Sequence, residues 1–94
     1  MWDKRYFVYI LSNRFRTVFY IGVTSNLSTR IDQHRIKSIA GFTAKYNLTD
    51  LVYAETFDNI YPAISREKQL KGWTRAKKLA LIKTLNPELK EIDL

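Results

Sequence analysis

The sequence predicts the α/β (α+β) class, and three observations carry that prediction. Two β-branched and aromatic runs, Arg5 to Ser12 (RYFVYILS) and Thr17 to Thr24 (TVFYIGVT), flank the polar stretch Asn13 to Arg16, as the strands of a β-hairpin do. Two stretches in the second half carry apolar residues at helical spacing between capping residues and helix stops. Ahead of both lies a third strand-like run, Asp50 to Phe57 (DLVYAETF). The 94 residues are expected to form a single domain, 1–94, with enough apolar and aromatic residues for one core.

Strand parity places Phe7, Tyr9 and Leu11 on one face of the first strand, and Val18, Tyr20 and Gly22 on one face of the second. A turn centred on Arg14 and Phe15 sets Tyr9 opposite Tyr20. Ser25 or Asn26 can cap a helix to about Lys37, in which Leu27 and Ile31 form an apolar pair and Arg30 and His34 a polar pair beside it, each one turn apart. Gly41 to Asn47 is expected to be a loop carrying Phe42, Tyr46 and Lys45. The apolar residues of Asp50 to Phe57 do not alternate, which suggests burial on both faces.

The next helix is expected from Tyr61 or Pro62 to Gly72, since proline suits a first helical turn and glycine the residue past the end. Its inward stripe is Ile60, Ala63, Ile64, Glu67 and Leu70. Glu67 stands out, because an ionised acid within an apolar stripe is expensive to bury without a cation or hydrogen-bond partners. Thr74 can cap the last helix, which runs through Leu85 with Ala76, Leu79 and Ile82 inward and Lys77, Lys78 and Lys83 outward. Asn86 and Pro87 stop it.

Composition narrows the chemistry. The absence of cysteine excludes disulfides, thiolate zinc sites, iron–sulfur clusters and a cysteine nucleophile, and the single histidine excludes a multi-histidine metal site. The longest N-terminal apolar run, Tyr6 to Leu11, falls far short of the ~18 residues of a membrane span, and a cytoplasmic location is expected. A net charge of +7 favours polyanionic partners, nucleic acid or an acidic membrane surface. The second fits poorly, because no long basic amphipathic segment with exposed apolar residues is evident.

Several short motifs follow one another along the chain: VYI at Val8 to Ile10, YIG at Tyr20 to Gly22, RxxxH at Arg30 to His34, and FT at Phe42 and Thr43. LVYxE at Leu51 to Glu55, REKQLKGW at Arg66 to Trp73, and NP at Asn86 and Pro87 complete the series. Each alone is weak, but their succession resembles the GIY-YIG nuclease superfamily over nearly the whole chain, and most closely its small standalone bacterial single-domain (UPF0213-like) members. The resemblance implies a small three-stranded antiparallel sheet flanked by helices. It also implies a divalent-metal-dependent endonuclease that hydrolyses nucleic-acid phosphodiester bonds with Mg²⁺ or Mn²⁺, with DNA ranked ahead of RNA and both left open as substrates.

In that family pattern Glu67 is the single carboxylate ligand of the cation and Arg30 holds the scissile phosphate. Tyr9 and Tyr20 line the cleft, one of them orienting or deprotonating the attacking water, and His34 accepts or relays a proton. The YIG motif puts Tyr20 slightly ahead of Tyr9 as the base. An ordinary phenol, with a pKa near 10, needs the cation and Arg30 to acidify it for that task, or else works by positioning water. Gly22 lets a backbone approach closely. Nucleic-acid contacts are expected at Gly22, Arg30, Lys45, Lys68, Lys71 and Arg75.

The chain departs from the pattern at Val8, where the first motif lacks its isoleucine, and at Phe7, which precedes it without the glycine. It departs again at Val23, where many relatives have a base, and at Leu79, where some have an asparagine. Phosphate binding would then fall to Lys68, Lys71 or Arg75, and targeting to a protein partner. The alternative is a non-catalytic basic nucleic-acid-binding module. Blander readings accompany each signal: strand tyrosines usually pack in cores, and Glu67 can simply pair with Lys71 for about 0.3–0.5 kcal/mol. The bases from Arg66 to Lys78 can form a solvated face, Trp73 suits the core, and Phe42 and Tyr46 either stack on a splayed base or seal the end of the sheet.

Overall fold

The chain is described by a computed structural model, which covers residues 5–37 and 41–94. Three strands, β1 (Tyr6–Ser12), β2 (Phe19–Thr24) and β3 (Asp50–Phe57), form one antiparallel sheet in the order β2-β1-β3. The helices are α1 (Leu27–Arg35), α2 (Phe42–Lys45), α3 (Ile60–Lys71) and α4 (Arg75–Leu85). The expected sheet and the three longer helices are therefore present. One short helix, α2, occupies part of the expected loop 41–47, started by Gly41 at φ 107°.

Local capping chemistry sets the helix starts. The side chain of Asn26 accepts from the Thr29 amide, Asn59 from Tyr61 and Thr74 from Lys77, each satisfying an amide that lacks an intrahelical partner. With Asn59 as its cap, α3 begins at Ile60, and Pro62 falls within the first turn, where no intrahelical amide bond is lost.

The hairpin register differs from the expected one. Tyr9 pairs with Gly22 and Leu11 with Tyr20, a slip of two residues. Asn13 is the cause: its Oδ1 accepts from the amides of Thr17 and Val18, and its Nδ2 donates to Thr17 Oγ1. These bonds widen the turn, and Arg16 completes it with φ 59°. A slip of two preserves parity, so every side chain stays on its expected face.

Each face of the sheet carries its own core. Val8, Ile10, Ile21, Val52 and Tyr53 pack with Ala63 and Leu70 of α3 and Ile82 of α4. On the other face, Tyr9, Leu11 and Leu51 pack with Leu27 and Ile31 of α1 and with Leu48. A β-bulge explains why β3 does not alternate: Ile10 pairs with Tyr53 but Leu11 with Leu51, so Val52 and Tyr53 both join the α3 side. Ala76, expected inward, is exposed; α4 buries Ile82 against the sheet instead.

Asn86 does more than end α4. Its Nδ2 donates to Val52 O and to Lys90 O, and its Oδ1 accepts from the Lys90 amide. The tail then continues until the Ile92 amide bonds Leu51 O, which covers part of the β3 edge.

A polar network joins β3 to α3. Arg66 donates two hydrogen bonds to the Glu55 carboxylate, at 2.9 and 2.8 Å, Tyr53 Oη donates to it at 2.6 Å, and Trp73 lies beneath the Arg66 guanidinium. Burial alone would raise the Glu55 pKa, but the bonds from Arg66 and Tyr53 and the Arg66 charge hold it below its ordinary value. Arg66→Ala is expected to cost about 2 kcal/mol at neutral pH, or about 10 °C in Tm. Because the folded pKa of Glu55 is depressed, this stabilisation is complete above its ordinary value of 4.5 and disappears as pH falls through the folded value. Thermal melts of the two proteins should therefore differ at pH 7 and converge in acid.

Candidate active site

The centre of the site is a buried hydrogen-bonded chain on the α1 side of the sheet. Tyr9 Oη lies 3.2 Å from His34 Nε2, and His34 Nδ1 lies 3.1 Å from Thr43 Oγ1. Tyr9 is 1% exposed, His34 3% and Thr43 6%. The rings of Tyr9, Tyr20 and His34 form a triangle with centroids 6.3, 5.9 and 5.8 Å apart.

Strand order separates the two tyrosines. Tyr9 is on the central strand and α1 closes over it, whereas Tyr20 is on edge strand β2 and stays partly open. Burial pushes the Tyr9 phenol well above its ordinary value. Tyr20 adds to the rise, Arg30 opposes it, and Glu67 adds to it. The charges of Arg30 and Glu67 are thus both felt at the phenol, while the direct side-chain partner of Glu67 among the described residues is Lys71.

Burial lowers the His34 pKa, and the Arg30 guanidinium one turn earlier on α1 lowers it further. A neutral imidazole has one donor and one acceptor nitrogen. Each hydroxyl can donate or accept, so two tautomers complete the chain: Tyr9 Oη–H to Nε2 with Nδ1–H to Thr43 Oγ1, or Nε2–H to Tyr9 Oη with Thr43 Oγ1–H to Nδ1. Sequence reasoning gave Thr43 no role, and its only signal was the FT pair at the start of α2.

Gly22 faces Tyr9 across the hairpin. A Cβ at Gly22 would stand 2.4 Å from both Cζ and Oη of Tyr9, so the space that the glycine leaves is filled by the phenol.

Arg30 is half-buried, and its guanidinium has no hydrogen-bond or ion-pair partner among the described residues. Glu67, with a side chain 15% exposed, pairs with Lys71 at 3.2 Å. Lys45 and Lys68 are exposed, and Arg75 donates to Arg16 O. Arg66 is held by Glu55, and Trp73 is half-buried between Arg66 and Lys77.

No group of three or more His, Cys, Asp or Glu side chains able to hold a metal exists among the described residues. That donor set does not suit zinc, which takes three or four protein ligands. It does fit Mg²⁺ or Mn²⁺ at Glu67, because hard cations are held by one or two carboxylates together with water and substrate phosphate.

A family model described as the GIY-YIG catalytic domain matches residues 5–80. The chain belongs to the GIY-YIG family. All of Tyr9, Tyr20, Arg30, His34 and Glu67 lie within that GIY-YIG match. The chain is 39% identical over 83 residues to a UPF0213 protein of Syntrophus aciditrophicus, covering 87% of this chain and 93% of that one. It is 35% identical over 77 residues to a UPF0213 protein of Natronomonas pharaonis, covering 82% and 89%. The fold is similar to the solution NMR structure of UPF0213 protein BH0048 from Bacillus halodurans, with a TM-score of 0.58 and 26% identity, covering 89% of this chain and 88% of that one. Among the described residues, no helix is long and apolar enough to cross a membrane.

Proposed function

We propose that the protein is an endonuclease that hydrolyses phosphodiester bonds of nucleic acid, DNA in preference to RNA, with Mg²⁺ or Mn²⁺ bound at Glu67. The buried Tyr9–His34–Thr43 chain, with Tyr20 at its open side and Arg30 half-buried one turn before His34 on α1, carries this reading. Family membership supports it.

Arg30, which has no partner among the described residues, holds the scissile phosphate, where its two-pronged guanidinium stabilises negative charge that grows in the transition state. The cation supplies Lewis acidity to the phosphate when bound. Tyr20, the partly open tyrosine, orients the attacking water. Tyr9 is too buried and too weakly acidic to take a proton from that water, and it serves as a positioning residue that fixes the ring of His34. Both ring nitrogens of His34 are engaged by buried hydroxyls, Nε2 by Tyr9 and Nδ1 by Thr43, so neutral His34 holds the tyrosine wall of the cleft in place, and the proton of the water passes to solvent along the partly open Tyr20 hydroxyl.

Two hydroxyl deletions separate these roles. Tyr20→Phe should lower kcat by about 10²- to 10³-fold with Tm unchanged. Tyr9→Phe should lower kcat by about tenfold or less and cost about 1 kcal/mol of stability, because a buried bond is lost. Equal kinetic losses would overturn the division. The rate should also fall on the acid side only below pH 6.5, the ordinary imidazole value from which His34 is lowered, since the folded group gains its proton at lower pH than a free imidazole. A pH profile of kcat/KM measures that limb.

The function itself is tested by cleavage of labelled single-stranded, duplex and branched DNA and of RNA with Mg²⁺, Mn²⁺ or EDTA. One observation favours a second reading: the Glu67 carboxylate is paired with Lys71, as suits a basic cleft that binds nucleic acid without cutting it. That reading predicts binding that weakens steeply with salt and no cleavage under any of these conditions.

A further inference from the structure

We infer that the outer face of α2 is a stacking platform for an unpaired nucleobase, formed by Phe42 and Tyr46 with Lys45, and that single-stranded or frayed nucleic acid is therefore the preferred substrate form. The inference deepens the proposed function and rests on it for the neighbouring cleft. It begins with the way this short helix divides its residues. Thr43 points inward, 6% exposed and bonded to His34. Phe42 and Tyr46, one turn apart, point outward at 50% and 42% exposure.

The two rings pack on each other rather than on either core, with centroids 4.6 Å apart and a tilt of 45°. The Lys45 ammonium sits 5.4 Å from the Tyr46 ring centroid. Adjacent half-exposed rings carrying a cation offer a π-face and a positive charge together, the combination that binds a base and its phosphate. The net charge of +7 favours a polyanion over an acidic or neutral small ligand. Thr43 fixes the location, since the residue between the platform and the interior is hydrogen-bonded to the imidazole of the cleft.

The substrate form follows from access. In a duplex both faces of each base are covered by neighbours, so a side-chain ring reaches a base only where the strand is single or the base is splayed out. A platform next to the cleft therefore selects strands with an unpaired base near the scissile phosphate.

The test is fluorescence anisotropy in EDTA, where binding is read without cleavage. Labelled single-stranded DNA and RNA oligonucleotides are compared with a strand of the same length made of abasic sites and with a blunt duplex. Wild type should bind the base-bearing strand about five- to hundredfold more tightly than the abasic one, as expected for one or two stacked bases. Tyr46→Ala, Phe42→Ala and Tyr46→Leu should abolish that preference, while Tyr46→Trp retains it and the salt dependence stays the same in all. Tyr46→Leu keeps the apolar bulk without the π-face, and a thermal melt of each variant verifies its fold. Equal affinity of wild type for the two strands, no binding at all, or a preference that survives Tyr46→Leu overturns the platform. A base preference without metal-dependent cleavage would sink the nuclease reading and keep the platform, and cleavage without a base preference would do the reverse.

Discussion

Glu67→Gln should abolish divalent-dependent cleavage, a loss on the order of 10³-fold or more, equivalent to about 4 kcal/mol of transition-state stabilisation. Glutamine keeps the size and packing of a side chain that is only 15% exposed, so the fold should survive. The substitution also removes the ion pair with Lys71, but that lysine is 52% exposed and such a pair on a helix is worth about 0.3–0.5 kcal/mol. Tm should move by no more than a few degrees. The rival account, in which Glu67 exists to pair with Lys71, predicts the opposite pattern: a small loss of stability and full activity. Cleavage assays and thermal melts of wild type and variant decide between them. Cleavage equal in both proteins removes Glu67 from the site, and cleavage insensitive to EDTA removes the divalent ion.

What the sequence exposes here is whatever depends on local chemistry. The caps at Asn26 and Thr74 were apparent because a side chain three residues from an orphan amide satisfies it without help from the rest of the fold. The faces of Tyr9, Tyr20, Arg30, His34 and Glu67 followed from strand parity and helical spacing, and the roles proposed for them from the resemblance carried by the motif order. Features set by tertiary contacts were hidden. The hairpin slip depends on how many amides the Asn13 side chain gathers, and the bulge that puts Val52 beside Tyr53 on the α3 side shows only in the pairing of β3 with β1. Parity put Tyr9 and Tyr20 on one face and could not rank them. Only the strand order β2-β1-β3 makes one phenol central and buried and the other open. The attachment of Asn86 to Val52 O and the Thr43 bond to His34 likewise join segments whose proximity no local pattern reveals.

Gly22→Ala should destabilise the protein and disturb the site together, and the coupling identifies the cause. The new Cβ would stand 2.4 Å from Cζ and Oη of Tyr9 and 2.8 Å from Cε1, while the phenol, 1% exposed, is enclosed by both its strand partner and α1. Overpacking of this kind costs about 1–3 kcal/mol, and displacing the phenol also breaks its bond to His34 Nε2, worth about 1 kcal/mol. Tm should fall by about 10–20 °C, and cleavage should fall with it as His34 loses its orientation. Gly22→Val should be worse. In a Tyr9→Leu background the ring is gone, so adding Gly22→Ala should cost much less, giving a double-mutant coupling of about 1–3 kcal/mol. If Gly22 instead serves the close approach of a nucleic-acid backbone, Gly22→Ala weakens binding, leaves Tm in place and shows no coupling to Tyr9. Denaturation and binding measured across the cycle separate a glycine that seats a tyrosine from one that admits a substrate.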